Sequence, residues 1–299
     1  MKVIQELQKC PQVVSVERVS IAVDSLPERL QLEAVEKSAQ VTLLRLVYRA
    51  KKLKVVGYVV VPKRRKNLPV IMHLRGGGRD FSMLTNKSLY LHLVRFAAEG
   101  YVVVAPQYPG VEGGEGSDCF GSAADMASIT VWKKIIDYIP QTDPERIGAK
   151  GYSRGGLMVY MLLREVSWLR AGVIGGAPTD QIRLGSSRPG WRKYQVSLWG
   201  TAKEEMIRRS PLRWAADLPT NVPLLIVHGS SDWRVPAEHG LKMSHELYKR
   251  KLPHRFILFE GADHGLTNFR LRLHHETLEW LNHYVRDEAP VPSMEPYGE

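Results

Sequence analysis

Cysteine is nearly absent. Cys10 and Cys119 are the only two in 299 residues. They lie far apart, so no disulfide framework is available and a reducing compartment is expected. Long apolar runs are missing as well. None reaches the ~18–20 residues that a membrane helix needs. Met1 to Cys10 mixes charges with single apolar residues and lacks the continuous stretch of a signal peptide. The expected location is therefore the cytoplasm, with no membrane. Acidic residues are outnumbered, 31 against 42 basic, which leaves a net charge of +11. The excess gathers at Lys51, Lys52 and Lys54 and at Lys63-Arg64-Arg65-Lys66. Such charge attracts nucleic acid in some proteins, but no nucleic-acid module accompanies it. The clusters read as a solvated hairpin with its flanking turn, and no nucleic-acid partner is expected. Internal repeats and low-complexity tracts are also missing.

Short apolar runs alternate with longer amphipathic stretches. Residues 1–40 read as a helical segment with an extended piece near Val16 to Val23. Val41 to Tyr48 and Val55 to Val61 are apolar and β-branched, separated by the basic Lys51-Lys52 stretch, and predict an antiparallel hairpin. Six further runs predict strands: Pro69–Leu74, Tyr101–Ala105, Ile147–Tyr152, Ala171–Ile174, Pro223–His228 and Phe256–Phe259. Helical patterns fall between and after them at Thr85–Glu99, Ala123–Ile139, Gly155–Glu165, Ala237–Lys249 and Leu266–Tyr284. Strands buried on both faces read as continuous apolar runs, and their crossovers are usually helices. The fold class is α/β: a mostly parallel central sheet with helices on both faces, led by the antiparallel hairpin. Asp180 to Leu218 interrupts the alternation. It carries Trp191, Trp199 and Trp214 with many arginines and no strand pattern, and reads as an insertion (180–218) within a 41–288 catalytic domain. Residues 289–299 read as a tail.

Gly151-Tyr152-Ser153-Arg154-Gly155 is a G-x-S-x-G sequence. Its setting gives it weight, since an apolar run precedes it and a helical pattern follows. That is the strand–turn–helix context of a nucleophile elbow. The turn is tight and strained, so its neighbours must be small. Ser153 is then exposed at the carboxyl end of a strand, where ligands meet α/β sheets. The N–H groups of a helix starting near Arg154 point at the same spot.

A serine hydroxyl needs a base to remove its proton. His264 sits in Gly261-Ala262-Asp263-His264-Gly265, just after one strand pattern and before a helix. Asp232 leaves the end of another, in Gly229-Ser230-Ser231-Asp232. The order Ser153, Asp232, His264 is that of α/β-hydrolases. Asp263 is a competitor, but a carboxylate adjacent to the base reaches its far ring nitrogen poorly, so Asp232 is expected to orient it. His73, His92, His228 and His245 read as packing or surface residues. The oxyanion needs preorganised donors. One is the backbone N–H of Arg154, the residue after the nucleophile. A second is open between the bare backbone of Arg75-Gly76-Gly77-Gly78 and the hydroxyl of Tyr108 in Gln107-Tyr108-Pro109-Gly110.

Taken together, these segments resemble the catalytic domain of the prolyl oligopeptidase (S9-type) family of serine peptidases, within the α/β-hydrolase superfamily. The resemblance rests on Arg75–Asp80, Gln107-Tyr108 with the glycine-rich stretch to Gly121, and Asp143-Pro144-Glu145-Arg146-Ile147. It continues through Gly151–Gly156, Gly176–Asp180, Arg209-Ser210-Pro211, His228–Pro236 and Asp263-His264-Gly265. It implies Ser153, Asp232 and His264 as catalytic triad, and the Tyr108 hydroxyl with the Arg154 N–H as oxyanion donors. It also implies hydrolysis of small peptides without metal or organic cofactor. Family members usually carry an N-terminal β-propeller, and the 40 residues before Val41 are too few for one. An esterase acting on small acyl or aryl esters is therefore the alternative. Pro109 stands where many relatives have arginine, and Cys119 where an acidic residue is common. Both mark places where the substrate pocket is expected to differ.

Overall fold

The computed structural model describes residues 2–296. Of the expected tail, residues 297–299 lie outside the described residues, as does Met1. Two compact units emerge: one runs up to Asp118 and includes Ser122–Gly148, and the other comprises Cys119–Gly121 and continues from Ala149. No helix among the described residues is long and apolar enough to cross a membrane.

The first unit has strand order β1-β2-β3-β5-β4-β6. β1 is Val13–Val19, β2 Val41–Ala50, β3 Leu53–Pro62, β4 Leu68–Leu74 and β5 Val102–Pro106. β6, Thr142–Tyr152, begins in this unit and ends in the other. β2 and β3 form the expected hairpin, paired from Val41↔Pro62 to Ala50↔Leu53, with Lys51 turning at φ 54°. The extended piece near Val16–Val23 proves to be β1, which starts earlier and adds antiparallel to β2. β4 and β5 run parallel, and every residue of both is buried, as runs covered on both faces require. Gly57 of β3 shows what the packing demands, because a Cβ there would stand 2.6 Å from the Trp132 ring. Tyr48 meets the same indole edge-on at 5.1 Å and donates from its hydroxyl to the Ser128 carbonyl at 2.8 Å. The helix expected over Thr85–Glu99 is built as Asn86–Leu89, a π-helical stretch Tyr90–Val94 and Arg95–Ala98.

The second unit has the order β6-β7-β8-β9, with β7 Leu169–Gly175, β8 Leu224–Gly229 and β9 His254–Phe259. β7, β8 and β9 pair in parallel. The helix Arg154–Glu165 is buried from Arg154 through Leu163 and packs on β7. Glycines permit that approach: a Cβ on Gly156 would come within 2.8 Å of the Ala177 Cβ, and one on Gly172 within 2.9 Å of Leu224. The 180–218 segment holds no strand; its α-helices are Gln181–Ser187, Pro189–Trp199 and Lys203–Arg208. Asp180 caps the first by accepting from Ile182 N and Arg183 N, each at 3.1 Å. Residues 119–121 are pinned to this segment. Trp199 Nε1 donates to the Cys119 carbonyl, Arg209 Nε to that of Phe120, and Arg208 Nη1 to that of Gly121.

Candidate active site

Ser153 follows β6 directly and has φ 57° and ψ −121°. A non-glycine residue held there is strained, and such strain gathers at functional sites. Its own N–H donates to the Gly175 carbonyl at 2.7 Å, which fixes the bend. The turn is as tight as the motif demands. A Cβ on Gly151 would lie 2.2 Å from the Gly155 carbonyl oxygen. Ser153 is half-buried, and the 12-residue helix Arg154–Glu165 begins at the next residue. Its first N–H groups and positive dipole end therefore face the serine.

Asp232 and His264 are brought together. Asp232 is 5% exposed and lies in the turn after β8. Its Oδ1 accepts from the N–H groups of Arg234 and Val235, both at 2.9 Å. Its Oδ2 lies 2.7 Å from His264 Nδ1. A carboxylate only accepts, so Nδ1–H donates. Burial opposes the charge on Asp232, but hydrogen bonds from His228 and His264 outweigh it and hold the carboxyl below the usual carboxylate range. His228 Nε2 is 2.8 Å from the Val235 carbonyl and 3.5 Å from Asp232 Oδ2.

The loop carrying His264 is strapped to the loop carrying Asp232. Ser230 N donates to the Phe259 carbonyl at 2.9 Å, Ser231 N to that of Ala262 at 3.0 Å, and Gly261 N to Ser230 Oγ at 2.8 Å. Asp263 faces elsewhere, accepting from Thr267 N and Thr267 Oγ1 at 2.8 Å each. The competing carboxylate is thus committed to a turn. The ring of Tyr152, the residue before Ser153, meets the His264 ring edge-on at 5.7 Å.

The two expected oxyanion donors stand in different settings. Arg154 is fully buried, its guanidinium 4.8 Å over the Phe120 ring, and its backbone opens the helix behind Ser153. Tyr108 belongs to the first unit, is fully buried and has φ 72°. Its hydroxyl donates to the Arg75 carbonyl at 3.1 Å. Arg75 also organises the glycine loop: its guanidinium donates to the carbonyls of Gly76, Arg79 and Gln107. Gly77, at φ 66°, fits where a Cβ would lie 2.1 Å from the Phe81 carbonyl oxygen.

Two residues with structural parts in this site, and one in the glycine loop of the first unit, escape a reading of the sequence. His228 reads as packing, yet it supports the Asp232 carboxylate. Tyr152 lies inside the motif but carries no signal for touching His264. Arg75 looks like a loop cation and proves a buried organiser. The partners of Tyr152 at His264 and of Arg75 at Gln107 are remote in sequence, whereas Asp232 lies just beyond His228 along the chain.

The family model described as the prolyl oligopeptidase family matches residues 87–288. A probable dipeptidyl-peptidase 5 of Aspergillus terreus is 26% identical over 263 residues, covering 80% of this chain and 35% of that protein. An uncharacterized peptidase, YtmA, of Bacillus subtilis is 25% identical over 219 residues, covering 72% of this chain and 83% of that protein. Among solved structures, Pyrococcus horikoshii acylaminoacyl peptidase superposes with a TM-score of 0.73 at 20% identity, covering 87% of this chain and 44% of that one. A puromycin-hydrolyzing peptidase of Mycobacterium tuberculosis gives 0.67 at 20% identity, covering 78% and 37%. These likenesses establish the α/β-hydrolase fold. The chain spans about a third of the length of the dipeptidyl-peptidases it matches.

Proposed function

Because this chain belongs to the prolyl oligopeptidase family, we propose that it is a serine hydrolase that cleaves peptide or other amide bonds through an acyl-enzyme on Ser153. The observation that carries the proposal is the Asp232–His264 hydrogen bond at 2.7 Å. It sits in the same unit as a serine held at φ 57° at the mouth of a helix. In this reading Ser153 Oγ attacks the carbonyl carbon while His264 Nε2 takes its proton. Asp232 holds the imidazole in the donating tautomer and stabilises the imidazolium. The oxyanion is received by the Arg154 N–H and, by the family resemblance, by the Tyr108 hydroxyl, which exchanges its Arg75 acceptor for the anion. His264 then protonates the leaving amine. Water repeats the attack, its proton goes to His264, and the acid leaves as Ser153 recovers its hydrogen.

The catalytic region is 41–288 with the 180–218 insertion, and the two free cysteines suit residence in the cytoplasm. The substrates are small peptides; small esters are the second class the same groups would turn over. A fluorophosphonate probe is expected to label Ser153 and to fail on S153A. Rates on aminoacyl-p-nitroanilides and on a p-nitrophenyl ester then rank the two bonds. Absence of labelling in folded protein would end the hydrolase reading. Retention of full turnover in Y108F would remove Tyr108 from it.

A further inference from the structure

The turn that holds Asp232 also carries a cationic and aromatic cluster that the reaction above leaves unused. Trp233, between Asp232 and Arg234, is 65% exposed, while Trp199 and Trp214 of the insertion are buried. Arg188 lies between the insertion helices Gln181–Ser187 and Pro189–Trp199. Its guanidinium carbon stands 5.3 Å from the Trp233 ring centroid, and that of Arg234 stands 5.1 Å from the same ring. Arg188 Nη1 donates to the Arg234 carbonyl. The N–H of that same residue donates to Asp232, so Arg188 is tied to the turn supporting the general base.

Arg188 differs from four nearby arginines in one respect. Arg183 pairs with Glu238, Arg208 and Arg209 with Glu205, and Arg213 with Asp180. No carboxylate of the described residues forms an ion pair with Arg188. Burial and the charge of Arg234 both weigh against its protonated form, and Asp232 is the counterweight. Asp232 is already committed to His264 and two backbone N–H groups. Stacking on an indole uses the π-face of a guanidinium; apart from the Nη1 donor given to the Arg234 carbonyl, the in-plane donors on Nε and Nη2 suit a bidentate carboxylate.

We infer that Arg188, stacked on Trp233, is a specificity residue that receives a carboxylate of the substrate, so that the enzyme prefers acidic peptides or acyl donors. This rests on the serine hydrolase reading and deepens it. The net charge of +11 favours approach of such substrates.

The test compares matched substrates in the full chain. Succinyl-Ala-p-nitroanilide against acetyl-Ala-p-nitroanilide places the carboxylate on the acyl side. Acetyl-Ala-Ala with a free carboxylate against its amide places it on the leaving side. p-Nitrophenyl acetate serves as the neutral reference. One arm is expected to show a preference for the carboxylate in kcat/KM, carried mainly by KM and shrinking in 0.5 M salt, roughly as screening of a solvent-reached pair predicts. R188A is expected to lower that preference about 10–100-fold, R188K to restore part of it, and R183A to leave it in place. If both arms show no preference, or if R188A lowers charged and neutral substrates by the same factor, the inference is overturned. Failure of wild type on the neutral ester, with no fluorophosphonate labelling, would instead remove the hydrolase reading and this inference with it.

Discussion

Two histidines of the second unit, His264 and His239, sit beside strand-end turns and close to aspartates, yet they are built for opposite ends. His264 Nδ1 donates to a carboxylate, at 2.7 Å from Asp232, and its side chain is 15% exposed. His239 Nδ1 accepts, from Thr179 N at 3.1 Å and Asp180 N at 3.3 Å. It is 3% exposed, and its carbonyl takes the Thr179 hydroxyl at 2.9 Å. The partner of one nitrogen therefore decides what the other is free to do. A carboxylate at Nδ1 fixes the ring from one side. Backbone N–H groups at Nδ1 demand a neutral ring that staples the start of the insertion. Burial enforces this by pushing the His239 pKa down to about 4.

The largest effects should come from breaking the first arrangement. S153A or H264A is expected to lower kcat by about 10⁵-fold or more. D232N, which imposes the wrong tautomer, is expected to cost about 10⁴-fold. Steady-state rates beside circular dichroism spectra check that each variant is folded. Breaking the second arrangement should show in stability instead. H239A strands two buried N–H donors, at a cost of about 2–3 kcal/mol in urea unfolding, while fluorophosphonate labelling of the folded fraction persists.

The pH dependence separates the two further. The folded His239 value of about 4 lies below its ordinary 6.5, so the unfolded chain binds the proton more readily between them. Its contribution to stability is complete above about pH 6.5 and is lost as pH falls toward 4, up to roughly 3 kcal/mol. H239Q should flatten that slope, and an unchanged slope would show that other groups carry it. The smallest effect tests the two aspartates near His264. D263A should lower kcat less than tenfold, since that carboxylate serves Thr267. A loss equal to that of D232N would reverse their roles.

Much of this was legible before any coordinates. The Ser153 turn announces itself because glycines, an apolar strand and a helix must all be local. Asp232 and His264 are legible because each leaves a strand pattern through small residues. β1 was blurred, since its pattern of half-buried and exposed positions gives little alternation, and its order depends on pairing with β2. The contacts of Tyr152 with His264 and of Arg75 with Gln107 were invisible for a related reason: each is made across the fold. The insertion was visible as a break in pattern, but its hold on residues 119–121 rests on carbonyl groups, which every residue type shares.

Gly229 shows how narrow the tolerance is where the loops carrying Asp232 and His264 touch. A Cβ at that position would sit 2.4 Å from the Ala262 carbonyl oxygen and 2.7 Å from that of Asp263. A single methyl group there would act as a wedge against the backbone of the His264 loop. An alanine at this position would force the two loops apart without altering Ser153, Asp232 or His264 themselves.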